Sequence, residues 1–330
     1  MANLQLSLSC WDYDRTKALQ NGEVKVKGID LIYLPNEAEE TFWRMVRHQE
    51  FDISEMSMSS YMINMDKYQC DYKAIPVFPS RVFRHSSIFI NTESGISSPE
   101  DLKGKRIGVP EYQITASLWI RGILKDEYGV NPEDLIWYQG GEETPGRVEK
   151  LKIEIPKNIE LHYIGENQTL NEMLLNGEID ALITARAPSS FTTHPHKVKR
   201  LFEDYKTVEQ EYYKKTGIFP IMHTVVIKNE ILEKYPWVAQ NLYQAFEEAK
   251  KKCFTDLNQT VALKTSLPWL NNHMQETKAV MGEMFWPYGI EENRHTLEKM
   301  VEYSYDQGLI SKKFKLEDLF ITSTFDKFVI

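Results

Sequence analysis

Short apolar segments with strand character alternate with helical stretches through the first two thirds of this chain, and no other feature narrows the fold as much. Leu4, Leu6 and Leu8 alternate with polar residues, the period-2 pattern of a half-buried strand over residues 4–8. Residues 30–34 read as a second strand. Residues 37–48 read as a helix with Phe42, Met45 and Val46 on one face. A short strand follows at 51–53, then a helix at 59–65 that opens from serines able to cap it. Residues 74–78 and 87–91 read as strands. A helical turn from Pro99 leads through Gly104 into a strand ending at Val109. A helix over 115–128 stops at Gly129, a residue that tolerates the left-handed geometry of a helix end. Strands at 161–164 and 180–184 flank a helix at 170–175, and a last strand covers 224–227. Helices are expected at 236–253, 259–263, 275–284 and 294–307. Alternation of this kind packs as an α/β fold with parallel or mixed sheets.

At roughly 150 residues per domain, 330 residues make about two domains. Lys and Arg number 39 against 48 Asp and Glu, a formal net charge of −9. Nucleic acid selects basic surfaces and is not expected as a partner. A hydrophobic content of 42% and a charged content of 26% suit a folded globular chain. No apolar run reaches the ~18 residues of a membrane helix, so no membrane partner is expected. The first ten residues carry neither a basic segment nor a long apolar stretch, which argues against a secretory leader and against lipid attachment at Cys10. Cys10, Cys70 and Cys253 form no CxxC pair, so structural zinc is not expected. Three cysteines without an export signal fit a reducing cytoplasm. His194 and His196 flank Pro195, but two ligands without a carboxylate at familiar spacing do not define a metal site. P-loop, GxGxxG, HExxH and GxSxG patterns are absent, which disfavours nucleotide cofactors, zinc proteolysis and serine hydrolysis. The longest irregular stretch, 139–158, is either a surface excursion or a loop over a site.

Two layers of resemblance emerge from the motifs. Asp101-Leu102-Lys103-Gly104-Lys105-Arg106-Ile107-Gly108-Val109 resembles the segment that opens the second lobe of type II periplasmic binding proteins. Asn176-Gly177-Glu178-Ile179-Asp180-Ala181-Leu182 resembles a later strand of that superfamily, and Pro220 with 224–229 and Tyr235-Pro236 resembles its return crossover. A narrower set resembles the 4,5-dihydroxyphthalate decarboxylase family, an enzyme branch of the same fold. It comprises Trp11-Asp12-Tyr13-Asp14-Arg15-Thr16, Phe51-Asp52-Ile53-Ser54-Glu55-Met56-Ser57 and Phe78-Pro79-Ser80-Arg81-Val82-Phe83-Arg84-His85-Ser86. Val109-Pro110-Glu111-Tyr112-Gln113, Trp119-Ile120-Arg121-Gly122, Gly140-Gly141-Glu142-Glu143-Thr144-Pro145-Gly146-Arg147 and Ala185-Arg186-Ala187-Pro188 extend it. The resemblance implies two lobes with mixed sheets and an interlobe cleft. Lobe one is expected at 1–88 and 222–330, and lobe two at 89–221.

Arg15, Arg81, Arg84 and Arg186 follow strands, where open α/β sheets place ligands, and the guanidinium fork suits a carboxylate. Ordinary turn salt bridges are the alternative for Arg15, Arg81 and Arg84. Glu55 follows a strand and precedes a helix, so it either caps that helix or stands in the cleft to orient a histidine or bind ring hydroxyls. Tyr112, Gln113 and Thr115 lie at the start of the helix that carries Trp119. Free N–H groups there can hold a carboxylate, and Trp119 either stacks on a ring or fills the core. His85 and His223 lie near the expected crossovers and are the candidate proton donors, each with a structural alternative.

The resemblance implies a small aromatic carboxylate as substrate, most directly 4,5-dihydroxyphthalate, in phthalate catabolism. The expected reaction is ring protonation followed by loss of CO2, giving protocatechuate, with no cofactor and no metal. The rival is a non-catalytic solute-binding protein for a small aromatic acid, since the fold serves binding more often than catalysis. A different cofactor-free enzyme on a related acid is a third reading. The acidic surface and helical last third permit a homo-oligomer without requiring one.

Overall fold

The computed structural model describes residues 3–325, and their backbone divides into two compact units. Among the described residues, unit 1 comprises 3–81, 221–298 and 314–325, and unit 2 comprises 82–220 and 299–313. The first boundary thus falls earlier than the expected 88/89. The second, at 220/221, lies one residue from the expected 221/222, but two further crossings were not expected: the chain returns to unit 2 at 298/299, within the helix Arg294–Asp306, and leaves it again at 313/314.

The strands are β1 (Leu4–Ser9), β2 (Ile29–Leu34), β3 (Ile53–Ser57), β4 (Tyr72–Ile75), β5 (Ile88–Asn91), β6 (Arg106–Val109), β7 (Ile136–Gln139), β8 (Glu160–Tyr163), β9 (Ala181–Ile183), β10 (Val198–Arg200) and β11 (His223–Lys228). Unit 1 holds a five-stranded sheet in the order β2-β1-β3-β11-β4. β1 runs parallel to β2 and β3, whereas β11 runs antiparallel to both β3 and β4. Unit 2 holds a six-stranded sheet in the order β10-β5-β9-β6-β7-β8, parallel from β9 to β8 and antiparallel at β5 and β10. Both sheets are mixed, one of the two arrangements that the alternating pattern allows and the one that the resemblance implies.

The core of unit 1 lies around β3 and β11, where Ile53, Met56, Val225, Val226 and Ile227 are fully buried. The helix Trp237–Leu257 buries Val238, Leu242 and Phe246 and packs against the helical turns Asp14–Thr16 and Lys17–Gln20. In unit 2, Phe89, Leu170, Leu174, Ile179, Leu182 and Val198 form one cluster. The helix Met58–Lys67 starts from Ser57, whose hydroxyl accepts the Ser60 N–H, so the serine capping expected there is realised. Gly129 ends the helix Thr115–Tyr128 with φ of 63°.

Two expectations are corrected, and four elements were not expected. The segment 51–53 is not the strand; β3 begins at Ile53 and carries Glu55 at its centre rather than after its end. Residues 259–263 form no helix, only a bend at 261–262, with Val261 almost fully exposed, because their apolar residues find nothing to pack on. β7 and β10 and the helices Ser189–Thr193 and Tyr205–Thr216 escape the pattern, being short or dominated by polar residues.

Candidate active site

The residues of β3 are all buried, including Glu55, which has no exposed surface. A buried carboxylate persists only where donors compensate its lost water. Register supplies the first donor. Val225 of β11 lies opposite Glu55, and His223 shares a sheet face with Val225, so His223 is the diagonal neighbour of Glu55. Its Nδ1 stands 2.6 Å from Glu55 Oε1. β1 supplies two more donors. It runs beside β3 in parallel, and the chain leaving it brings the Trp11 N–H to Glu55 Oε2 at 3.0 Å and the Tyr13 hydroxyl to Oε1 at 2.6 Å.

Burial alone would raise the Glu55 pKa, but the hydrogen bond and charge of His223, with the Trp11 N–H and Tyr13 O–H, hold it below the usual carboxylate range. Burial, and then the Glu55 charge, push Tyr13 far up, so it stays a phenol. With the carboxylate accepting, Nδ1 of His223 carries a proton and Nε2 is the reactive nitrogen. Phe42 packs edge-on against the imidazole at 4.8 Å and fixes its plane.

Arg15 completes the group. Its guanidinium lies between the Tyr13 ring at 4.1 Å and the Trp286 ring at 4.3 Å. Nε donates to the Pro79 carbonyl at 2.5 Å and Nη1 to Asp14 at 3.0 Å. Trp286 is itself anchored by its N–H to the Phe78 carbonyl at 3.0 Å. The arrangement is a histidine backed by a buried carboxylate, beside an arginine clamped between two rings.

Of the residues expected from sequence, the structure therefore brings together Glu55, His223 and Arg15. Arg81, in the same unit, is 4% exposed and its guanidinium binds the Pro287 carbonyl and the Asn293 side chain, a brace for the 287–293 turn. The remaining candidates belong to unit 2. His85 is packed edge-on by Phe202 and Tyr212, neither ring nitrogen has a partner among the described residues, and burial lowers its pKa to about 4. It is a neutral, buried ring at physiological pH. Arg84 reaches the Ser87 hydroxyl and the Ala185 carbonyl, and burial lowers its pKa to about 10. Gln113 donates to Glu111 at 2.8 Å, and Thr115 is buried at the first turn of its helix. Trp119 and Tyr112 have no exposed surface, Trp119 packed edge-on against Tyr303 and Tyr112 against Trp137. Arg186 is exposed after β9.

Sequence reasoning did not single out Tyr13, Glu111 or Glu142. Glu111 is 1% exposed and binds Arg147 at 2.8 Å and Lys150 at 3.0 Å, whose charges outweigh its burial and lower its pKa. The irregular stretch 139–158 is thus stitched into unit 2 by charge. Glu142, in the same stretch, is pushed up to about 7 by burial, although the Thr184 hydroxyl donates to it at 2.5 Å. All three sit in quoted strings, but a tyrosine or glutamate in a loop carries no signal until a partner distant in sequence is known. Among the described residues no group of three or more His, Cys, Asp and Glu is placed to hold a metal, and no helix is long and apolar enough to cross a membrane.

Comparisons with known proteins follow the two layers. Residues 23–185 match a family described as the periplasmic substrate-binding protein of a phosphonate ABC transporter. The sulfonate-binding protein SsuA of Methylobacillus flagellatus superimposes over 97% of this chain and 92% of its own, with a TM-score of 0.55 at 13% identity. SsuA of Escherichia coli does so over 98% and 99%, with a TM-score of 0.52 at 14% identity. These likenesses establish a type II periplasmic-binding-protein-like α/β fold. The sequence is 44% identical over 214 residues to a 4,5-dihydroxyphthalate decarboxylase of Pseudomonas putida, covering 65% of this chain and 83% of that one. It is 40% identical to the 4,5-dihydroxyphthalate decarboxylase of Comamonas testosteroni, end to end in both chains. Identity at that level across all 330 residues is far beyond a shared frame, and the chain belongs to the 4,5-dihydroxyphthalate decarboxylase family.

Proposed function

We propose that this protein removes one carboxylate from 4,5-dihydroxyphthalate, releasing CO2 and protocatechuate, and that the Glu55–His223–Tyr13 group with Arg15 carries the reaction. The observation that bears most weight is the 2.6 Å contact between Glu55 and His223 Nδ1, which presents Nε2 in a defined direction.

The substrate's own chemistry sets the task. Each carboxylate is para to a hydroxyl, whose lone pair raises electron density on the carbon that bears the carboxylate. The protonated His223 delivers its Nε2 proton to that carbon. The carbon–carboxylate bond then breaks, its electron pair restores the aromatic ring, and CO2 leaves. His223 regains a proton from solvent, so the reaction consumes one proton in all. Glu55 stabilises the imidazolium and fixes its orientation. Arg15 binds the neighbouring, unreacting carboxylate, and the rings on either side of its guanidinium limit its freedom. A cytoplasmic location is part of the proposal, since a reducing compartment suits Cys10, Cys70 and Cys253, all of them free thiols.

The test is turnover of 4,5-dihydroxyphthalate by chelator-treated protein, followed by CO2 release and protocatechuate absorbance. His223→Gln is expected to lower kcat by roughly 100-fold or more with little change in KM, the range of general acid catalysis. Arg15→Met is expected to act mainly on KM. Tight binding without turnover would favour the solute-binding reading instead. A His223→Gln variant with near-normal kcat would remove His223 from the mechanism.

A further inference from the structure

We propose that unit 2 holds a separate site for a small carboxylate-type anion, in the cavity beside Arg121 and Tyr112. The helix Thr115–Tyr128 carries Arg121 into the interior, where it is 1% exposed. Its Nε donates to Gln307 Oε1 at 2.7 Å, and Gln307 donates in turn to the Leu118 carbonyl at 3.0 Å, so one edge of the guanidinium is held. One face lies 3.7 Å from the centre of the Tyr112 ring. The other edge is different. Neither Nη1 nor Nη2 has a hydrogen-bond partner among the described residues, and nor does the buried Tyr112 hydroxyl.

A cavity of about 110 Å³ adjoins these residues, with Gln307, Lys125, Asn131 and Pro156 among its walls. Two acidic residues also line it, but neither serves Arg121. Asp306 is bonded to Lys125 at 3.1 Å, and Glu133 is exposed. Burial lowers the Arg121 pKa to about 10, which leaves the group charged at neutral pH. A buried guanidinium without a counter-charge is strongly disfavoured, and a ring face compensates it only in part.

An anion with two forked oxygens supplies what the chain does not. It matches the two parallel N–H directions of an arginine edge, and the Tyr112 hydroxyl adds a third donor. The cavity's size suits a few heavy atoms, as in formate, acetate or bicarbonate, better than a benzene dicarboxylate. Both surroundings and residues differ from the Glu55–His223 group, which lies wholly in unit 1.

The experiment is thermal melting of the full chain with sodium formate, acetate and bicarbonate, at constant ionic strength balanced with chloride. A saturable rise in Tm is expected in the wild type, preserved in Arg15→Met and lost in Arg121→Gln. Tyr112→Phe keeps the ring under the guanidinium and removes only the hydroxyl. It is expected to raise the apparent Kd roughly 3- to 10-fold, the effect of one hydrogen bond, and it carries the test if Arg121→Gln does not fold. The ratio of bicarbonate to formate midpoints separates hydrated CO2 from free carboxylic acids as the source of the anion, and either order supports the site. No saturable response in the wild type overturns the proposal. So does a response that vanishes in Arg15→Met and is unchanged in Tyr112→Phe.

Discussion

Glu55 survives as a carboxylate with no exposed surface because three donors from two neighbouring strands and their continuations converge on it. Removing one shifts its burden to the others. Tyr13→Phe deletes the 2.6 Å hydroxyl contact at constant ring volume, and should cost about 1–2 kcal/mol of stability, measured by urea unfolding, with a fall in kcat as the histidine loosens. Because the Glu55 pKa is depressed in the folded state, its contribution is present above the normal carboxylate range and lost as pH falls through the folded value. His85 provides a second acid-sensitive position. Its folded pKa of about 4 lies below the ordinary 6.5, so the unfolded chain takes up the proton first and stability falls as pH drops from about 6.5 to 4. His85→Phe should keep the contacts to Phe202 and Tyr212 and flatten that limb of the stability–pH curve, as melting over pH 4–7 will reveal. At this scale the sequence made Glu55, His223 and Arg15 visible because they are chemically conspicuous. Tyr13 was not, because its role depends wholly on a carboxylate 42 residues away.

Strands are legible where the buried residues are apolar, as in β5, β9 and β11, and obscure where buried positions carry polar side chains. β3 reads Ile-Ser-Glu-Met-Ser, and polar residues inside a fully buried strand defeat both the alternating and the continuous apolar template. That is why the sequence pattern sets the strand two residues early and leaves Glu55 beyond its end. The same limit hid the role of Trp119, since a tryptophan on a helix reads alike as platform or core until Tyr303 is seen against it. The helix Thr115–Tyr128 carries a further constraint at Gly122. A Cβ there would meet the Tyr303 ring at 2.3 Å, and that ring is held by a 2.7 Å hydrogen bond to Asp126. Gly122→Ala should therefore destabilise by about 1–3 kcal/mol, despite alanine's better helix propensity, because the ring cannot retreat. Calorimetric melting of the variant decides the sign.

The chain as a whole is organised by its discontinuities. Alternation and motif order conveyed two units and mixed sheets, but not the return of 299–313 to unit 2, since nothing in a helical pattern says which core it serves. Those residues bring the buried Tyr303, Leu309 and Ile310. A fragment of residues 82–220 alone should lack a cooperative melt, and the same fragment with 299–313 joined by a flexible linker should regain one, as followed by circular dichroism. The position of β11 has its own corollary. It fills the slot between β3 and β4, and Glu55 precedes its partner His223 by 168 residues. On the ribosome, the first sheet waits for nearly all of unit 2 to be synthesised before the strand that joins β3 to β4 emerges. Through that interval the nascent chain is catalytically silent and keeps two unsatisfied strand edges, the kind of surface that chaperones shield.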